Sequence, residues 1–216
     1  YAFYGCSGLS SITIGNGVTS IGTSAFYACI DLTSLTIPDS VNSIGTSAFS
    51  SCTSLTSISI GNGVTSIGNY AFTNCTSLTS LMIPDSVTSI GIGAFQDCTS
   101  LTSISIGNGV TSIGFRAFYN CESAGSCYFK GEAPTTFGME VFNNLQTPFI
   151  IVEGSEAASY GGDGATYNGL MVVDSSKVAT AANLYTQSDY DTVVAERDAK
   201  LTLDENKRLS LIHISE

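Results

Sequence analysis

The sequence predicts a mainly β protein, a parallel β-solenoid of 23-residue coils with short helical turns, followed by a C-terminal helix. Three observations carry this reading. Phe recurs at 3, 26, 49, 72, 95 and 118, each after Ala, and Cys recurs at 6, 29, 52, 75, 98 and 121, so both markers advance by 23 every time. A fixed period of this length marks a stacked repeat, in which no unit can bury its apolar face alone. Leu35 and Ile37, with their copies one period away, alternate with hydroxyl residues, the pattern of a short strand with one buried face. Turn chemistry then ends each strand: Gly-Asn-Gly at 15–17, 61–63 and 107–109 alternates with Pro-Asp-Ser at 38–40 and 84–86, a 46-residue super-period.

Along one coil, Leu32 to Ile37 supplies the first strand and Val41 to Gly45 a second, shorter extended stretch. Ala48-Phe49-Ser-Ser-Cys52 suits one helical turn that tucks Phe and Cys inward. About five full coils fit residues 1–121, with equivalent strands stacked in parallel at about 4.8 Å. From Cys121 the period loosens, because Ala124 stands where Leu is expected and Phe142 arrives one residue late. Cys127 and Phe129 still fall at inward strand positions, so residues 122–173 are expected to form a degenerate coil and a C-terminal cap, with Phe149 to Val152 as a late strand.

Small polar residues 174–183 read as a linker. Ser188 and Asp191 then give a helix start, and Tyr190, Val193, Val194, Arg197 and Leu201 continue at helical spacing, so residues 184–208 are expected to be a helix. A lone helix is marginal without a partner, which points to the start of a stalk or to oligomerisation through 184–208. Residues 209–216, Leu-Ser-Leu-Ile-His-Ile-Ser-Glu, resemble a transposon-end sequencing adapter translated in frame, an expected artefact that would leave His213, the one His, without biological meaning.

The repeat unit C-x-x-L-T-S-L-T-I-P-D-S-V-x-S-I-G-x-x-A-F-x-x-C, carried by residues 1–121, resembles the BspA-like, or treponemal-type, leucine-rich repeat. That resemblance implies a curved parallel solenoid without a catalytic site, on a cell-surface or secreted protein that adheres to proteins, cells or surfaces.

Charge narrows the partners. The chain carries a net −11; residues 1–121 hold four acids and one base, Arg116, and residues 122–216 hold 14 acids and six bases. Nothing here neutralises a run of phosphates, so nucleic acid is not an expected partner. No apolar run reaches the ~18–20 residues of a membrane-spanning helix. A hydrolytic triad has no credible His, and residues 1–121 hold too few ionisable groups for acid–base catalysis, so no enzyme and no cofactor are expected.

The remaining candidates divide between structure and recognition. The evenly spaced Cys residues lack C-x-x-C pairs and His partners, so they read as buried thiols rather than as disulfides or metal ligands; Cys127 is likewise expected to be free, with a pair to Cys121 as the alternative. Asn16, Asn62, Asn108, Asp39 and Asp85 fit turns better than Ca²⁺ ligation, which needs several converging oxygens. Gly161-Gly-Asp163-Gly164 reads as a loop, and the sequon at Asn74-Cys-Thr76 as chance. Two outward rows remain, Ser11, Ser34, Ser57, Ser80 and Ser103 beside Thr13, Thr36, Ser59, Met82 and Ser105. Small polar strand formers at these places solvate an outer face, and the same array can serve as a flat recognition surface. Met82 and the Ser substitutions interrupt the regular Thr ladder that an ice-binding face would need. The expected function is thus non-catalytic binding of an extracellular protein or glycan, the alternative being a spacer or stalk of a larger surface protein or enzyme.

Overall fold

The computed structural model describes residues 1–145, 149–152, 157–162, 166–167 and 170–174. The chain divides into two compact units, Tyr1–Ser175 and Ser176–Glu216, and every described residue lies in the first. The helix expected over 184–208 and the tail 209–216 fall outside the described residues, as does the expected linker after its first residue, Asp174.

The first unit is a parallel β-solenoid. The first coil gives β1 (Ser20–Ile21), and the next four give a long and a short strand each: β2 (Ser34–Ile37) and β3 (Ser43–Ile44), β4 (Ser57–Ile60) and β5 (Ser66–Ile67), β6 (Ser80–Ile83) and β7 (Ser89–Ile90), β8 (Ser103–Ile106) and β9 (Ser112–Ile113). A sixth coil adds β10 (Ser126–Phe129) and β11 (Thr136–Phe137), with Cys127 opposite Ile104 and Phe129 opposite Ile106. Then come β12 (Phe149–Val152), a 3₁₀ turn at Ala157–Tyr160, β13 (Thr166–Tyr167) and β14 (Leu170–Asp174). The short strands form one continuous sheet, β1-β3-β5-β7-β9-β11, always paired residue for residue at the 23- or 24-residue step. The long strands form two sheets, β2-β4 and β6-β8-β10-β12-β14, the second closed by antiparallel β13.

On the third side of each coil the structure replaces the expected helical turn with a run of tight turns. The amides of Ala48, Ser50 and Cys52 bond to carbonyls three residues back, while those of Ser47, Phe49 and Ser51 cross to Asn69, Ala71 and Thr73 of the next coil at 2.8–2.9 Å. A helix would direct every amide along itself and forfeit the crossing bonds. The alternation requires every fourth residue to be left-handed: Ser47 has φ 53° and Ser51 φ 63°. Each non-glycine residue so placed costs about 1–2 kcal/mol, which the crossing bonds and the buried Phe and Cys between them offset.

Inside, repetition becomes ladders. The rings of Phe3, Phe26, Phe49, Phe72, Phe95, Phe118 and Phe142 stack at 5.0–5.3 Å, within 6° of parallel. Each thiol of Cys29, Cys52, Cys75, Cys98 and Cys121 donates to the carbonyl of the Phe 26 residues earlier, at 3.3–3.4 Å. Cys6 breaks the expected row of buried thiols: it is exposed. Beyond the sixth coil the core ends in an edge-to-face aromatic cluster, in which the Tyr160 ring lies 5.6 Å from Phe129 and 5.0 Å from Tyr167. The Tyr160 hydroxyl donates to the Gly131 and Glu132 carbonyls at 3.1 Å.

The alternating corners interlock. Asp39 Oδ1 accepts the Asn62 amide at 2.6 Å, and Asp85 Oδ1 accepts that of Asn108 at 3.1 Å. The Gly-Asn-Gly corners at 61–63 and 107–109 therefore sit on the Pro-Asp-Ser corners before them, so closely that a Cβ on Gly63 would overlap the Asp39 carbonyl oxygen. Asp39 and Asp85 are thus engaged as corner partners of the Asn62 and Asn108 amides.

Candidate binding face

The long-strand face carries both outward rows. Ser34, Thr36, Ser57, Ser59, Ser80 and Ser103 are exposed on β2, β4, β6 and β8, Met82 is 64% exposed, and Ser105 is half-buried. Pairing brings Ser34 beside Ser57, Thr36 beside Ser59, Ser80 beside Ser103 and Met82 beside Ser105. Ser11 and Thr13 are exposed as well, but their segment is not a paired strand and joins the next coil through Thr33 alone, whose amide and hydroxyl both reach the Ser10 carbonyl at 3.3 Å. Along the strand starts, the hydroxyls of Thr56, Thr79 and Thr102 each donate to the carbonyl of the Thr 23 residues before, which fixes them as structural.

The face is not uniform. β4 and β6 are neighbours, yet no ladder joins them. At this seam Ile58 is half-buried, whereas Leu35, Leu81 and Ile104 at the same place in other coils are buried. A groove of about 660 Å³ crosses the seam and spans four coils, with Ile58 and Met82 offering apolar surface, Ser59 and Ser105 hydroxyls, and Asp85 and Lys130 opposite charges. Its volume lies within the range of small-ligand sites. Sequence reasoning missed Lys130 and Tyr128 as members, although Tyr128 stands between the inward Cys127 and Phe129 and so had to face outward. No signal pointed to Ile58, whose position in the repeat is that of a core residue.

Burial pushes the Cys52 and Cys121 thiols up to about 12 and raises those of Cys75, Cys98 and Cys127 well above the ordinary thiol value, which keeps them protonated and unreactive at neutral pH. Every cysteine is a free thiol, including Cys127 and Cys121. Among the described residues no three His, Cys, Asp or Glu side chains are grouped to hold a metal ion, and no helix is long and apolar enough to cross a membrane.

Parallel strands repeated every 23 residues around ladders of Leu, Ile, Phe and Cys define a leucine-rich repeat solenoid. The chain belongs to the BspA-type leucine-rich repeat family, whose model matches in six copies over residues 1–80 and 65–151. Among solved structures it is similar to a leucine-rich cell surface protein of Faecalibacterium prausnitzii, at 39% identity and TM-score 0.52 over 54% of this chain and 31% of that one. It is also similar to a leucine-rich repeat protein of T. pallidum, at 27% identity and TM-score 0.51 over 78% of each chain. The pneumococcal vaccine antigen PcpA, 18% identical, shares the fold with TM-score 0.57 over 74% of this chain and 40% of its own. This chain thus spans about a third of the Faecalibacterium protein. No curated protein matches it significantly.

Proposed function

We propose that this chain is a non-catalytic binding module of a cell-surface or secreted protein, which recognises an extracellular protein or glycan on its long-strand face. The observation that carries the reading is the groove across the β4–β6 seam, where Met82 is 64% exposed and Ile58 emerges between rows of hydroxyls. A rigid stack supplies such a surface without ordering cost, and affinity accumulates from small contacts on successive coils. Membership of the repeat family and the 39% identity to a protein described as a leucine-rich cell surface protein support the surface location. The low charge of residues 1–121 favours contact-driven over steered association.

The test is surface-plasmon binding of the reduced chain to arrayed matrix proteins, mucins and glycans. Saturable binding that disappears when Ser57, Ser59, Ser80 and Met82 are all replaced by Lys is the expected result. A folded chain that binds nothing on the array would favour the spacer reading instead.

A further inference from the structure

A second surface lies on the turn side, away from both strand rows. Thr23, Thr46, Asn69, Ile92, Phe115 and Met139 occupy one register position, because their carbonyls accept in turn from the Tyr1 α-ammonium group and the amides of Ser24, Ser47, Tyr70, Gly93 and Arg116 at 2.7–3.1 Å. The first three are polar and the last three apolar, yet Ile92 is 39%, Phe115 36% and Met139 76% exposed. The repeat provides its own control: the same backbone carries Thr, Thr and Asn in the preceding coils, so the fold does not demand Ile, Phe and Met here. A contiguous apolar row that the fold does not require marks a contact surface.

The neighbouring residues are arranged around this row. The ring of Tyr70 lies against Gly93, where a Cβ would come within 2.6 Å of the ring carbons and push the ring aside. The Arg116 guanidinium sits 4.8 Å from the Phe115 ring centre and 4.6 Å from that of Tyr119, and Glu140 holds it at 2.6 Å. The only base among residues 1–121 is therefore compensated and clamped between rings.

We propose that this row, flanked by Tyr70 and Arg116, docks an amphipathic protein segment with apolar side chains at its centre and cationic residues at its edges. Ile92, Phe115 and Met139 offer no hydrogen-bonding group, which disfavours a hydroxyl-covered glycan and suits apolar protein side chains; rings, Met and Arg together have the composition of interface anchors. Residues 1–175 carry 11 acids against two bases, and with Arg116 already neutralised by Glu140 that balance attracts a cationic rim and repels an anionic one. This surface is independent of the strand face, and either can fail alone.

Fluorescence anisotropy of the full chain tests it, using a labelled helical peptide with a leucine stripe flanked by lysines. Two comparison peptides carry glutamates in place of the lysines, or the same leucines scattered. Only the first should saturate. The triple variant I92T/F115T/M139N alters no charge and installs residues the fold already accepts in this row; it should weaken binding about tenfold or more, while Met82→Ser on the strand face leaves it unchanged. Should circular dichroism show the triple variant misfolded, Met139→Asn alone, at the most exposed site, should still weaken binding about threefold. Binding by the triple variant within a factor of about two overturns the proposal, as does equal binding of either comparison peptide. It is equally overturned if the triple substitution abolishes self-association seen by sedimentation velocity, or glycan capture, instead of peptide binding.

Discussion

The long-strand face is built from two kinds of step between coils, and they behave differently. Where Gly-Asn-Gly follows Pro-Asp-Ser, the strands pair residue for residue, β2 with β4 and β6 with β8, and the Asp carboxylate ties the corners together. Where Pro-Asp-Ser follows Gly-Asn-Gly, β4 and β6 do not pair, nor does the first coil's Ile12 to Ile14 segment pair with β2. Both unpaired steps bring a proline, Pro38 or Pro84, to the end of the later strand: where the Lys130 amide reaches the Ile106 carbonyl at 3.0 Å in the sixth coil, Pro84 at the same place in its own coil has no amide to donate. At that step the corner is held instead by Ser86 Oγ donating to the Val64 carbonyl at 2.7 Å. The other sides of the stack take no notice. β5 pairs with β7, and Cys98 bonds the Phe72 carbonyl at 3.3 Å, as Cys75 and Cys121 bond theirs in the coils on either side. A repeat can thus be invariant inside while its outer ladder is interrupted by one corner residue.

If the difference is confined to that face, alkali should dismantle the whole stack at once, and this is the largest effect expected. Burial raises the thiols of Cys52, Cys75, Cys98, Cys121 and Cys127, those of Cys52 and Cys121 to about 12. A thiol that ionises more readily in the unfolded chain contributes stability that is fully present below about pH 8.5, its unfolded value, and is lost as pH rises toward the folded value. Each such thiol removes about 1.4 kcal/mol per pH unit in that window. Urea unfolding of the reduced chain should therefore show a midpoint that falls steeply between about pH 9 and pH 11, in one transition. Two separate transitions would mean that the seam runs through the core as well.

The tighter step can be probed by filling it. Gly63→Ala places a Cβ onto the Asp39 carbonyl and should cost about 2–3 kcal/mol, whereas Gly17→Ala, at the same corner position with nothing within 4 Å, should be close to neutral. Equal losses in thermal unfolding would show that the corner geometry, and not the stacking beneath it, sets the need for glycine. Asp39→Ala is milder. It removes the acceptor of the Asn62 amide and should cost about 1 kcal/mol, visible as a shift in the urea midpoint with unchanged slope.

Much of this was legible in the residues, because period 23 is an all-or-none signal and every Phe, Cys and Ile that obeys it has to face the same interior. The 46-residue alternation of corners was visible too, but its consequence was not, since whether two strands pair depends on the step between coils, which no single corner contains. The third side resisted reading for another reason. Ala48, Phe49 and Cys52 have helical spacing, yet their amides are claimed by carbonyls of the next coil, a partner that no single-coil pattern contains. Exposure of Ile58 belongs to the same class, a core residue by position that the seam uncovers. The polar-to-apolar change from Asn69 to Ile92, Phe115 and Met139 could have been read from the alignment of coils alone.

Pro84→Ala is the subtlest change and the most direct on the seam. It supplies an amide opposite the Ile60 carbonyl, worth about 0.5–1.5 kcal/mol if the bond forms, and it gives up the restriction that proline places on the unfolded chain, about 0.4–1 kcal/mol. Stability should then move by less than about 1 kcal/mol either way, so the informative readout is local. Hydrogen exchange should slow at residue 84 and along β4 and β6 as the two sheets merge, with Ile58 covered and the groove narrowed. Unchanged exchange would absolve the proline and leave the Ser86–Val64 corner bond as what holds the strands apart. Applied to a ligand captured on the strand face, the same variant separates shape from chemistry: it leaves Ser57, Ser59, Ser80 and Met82 in place, so binding that weakens as the seam closes must depend on the groove itself.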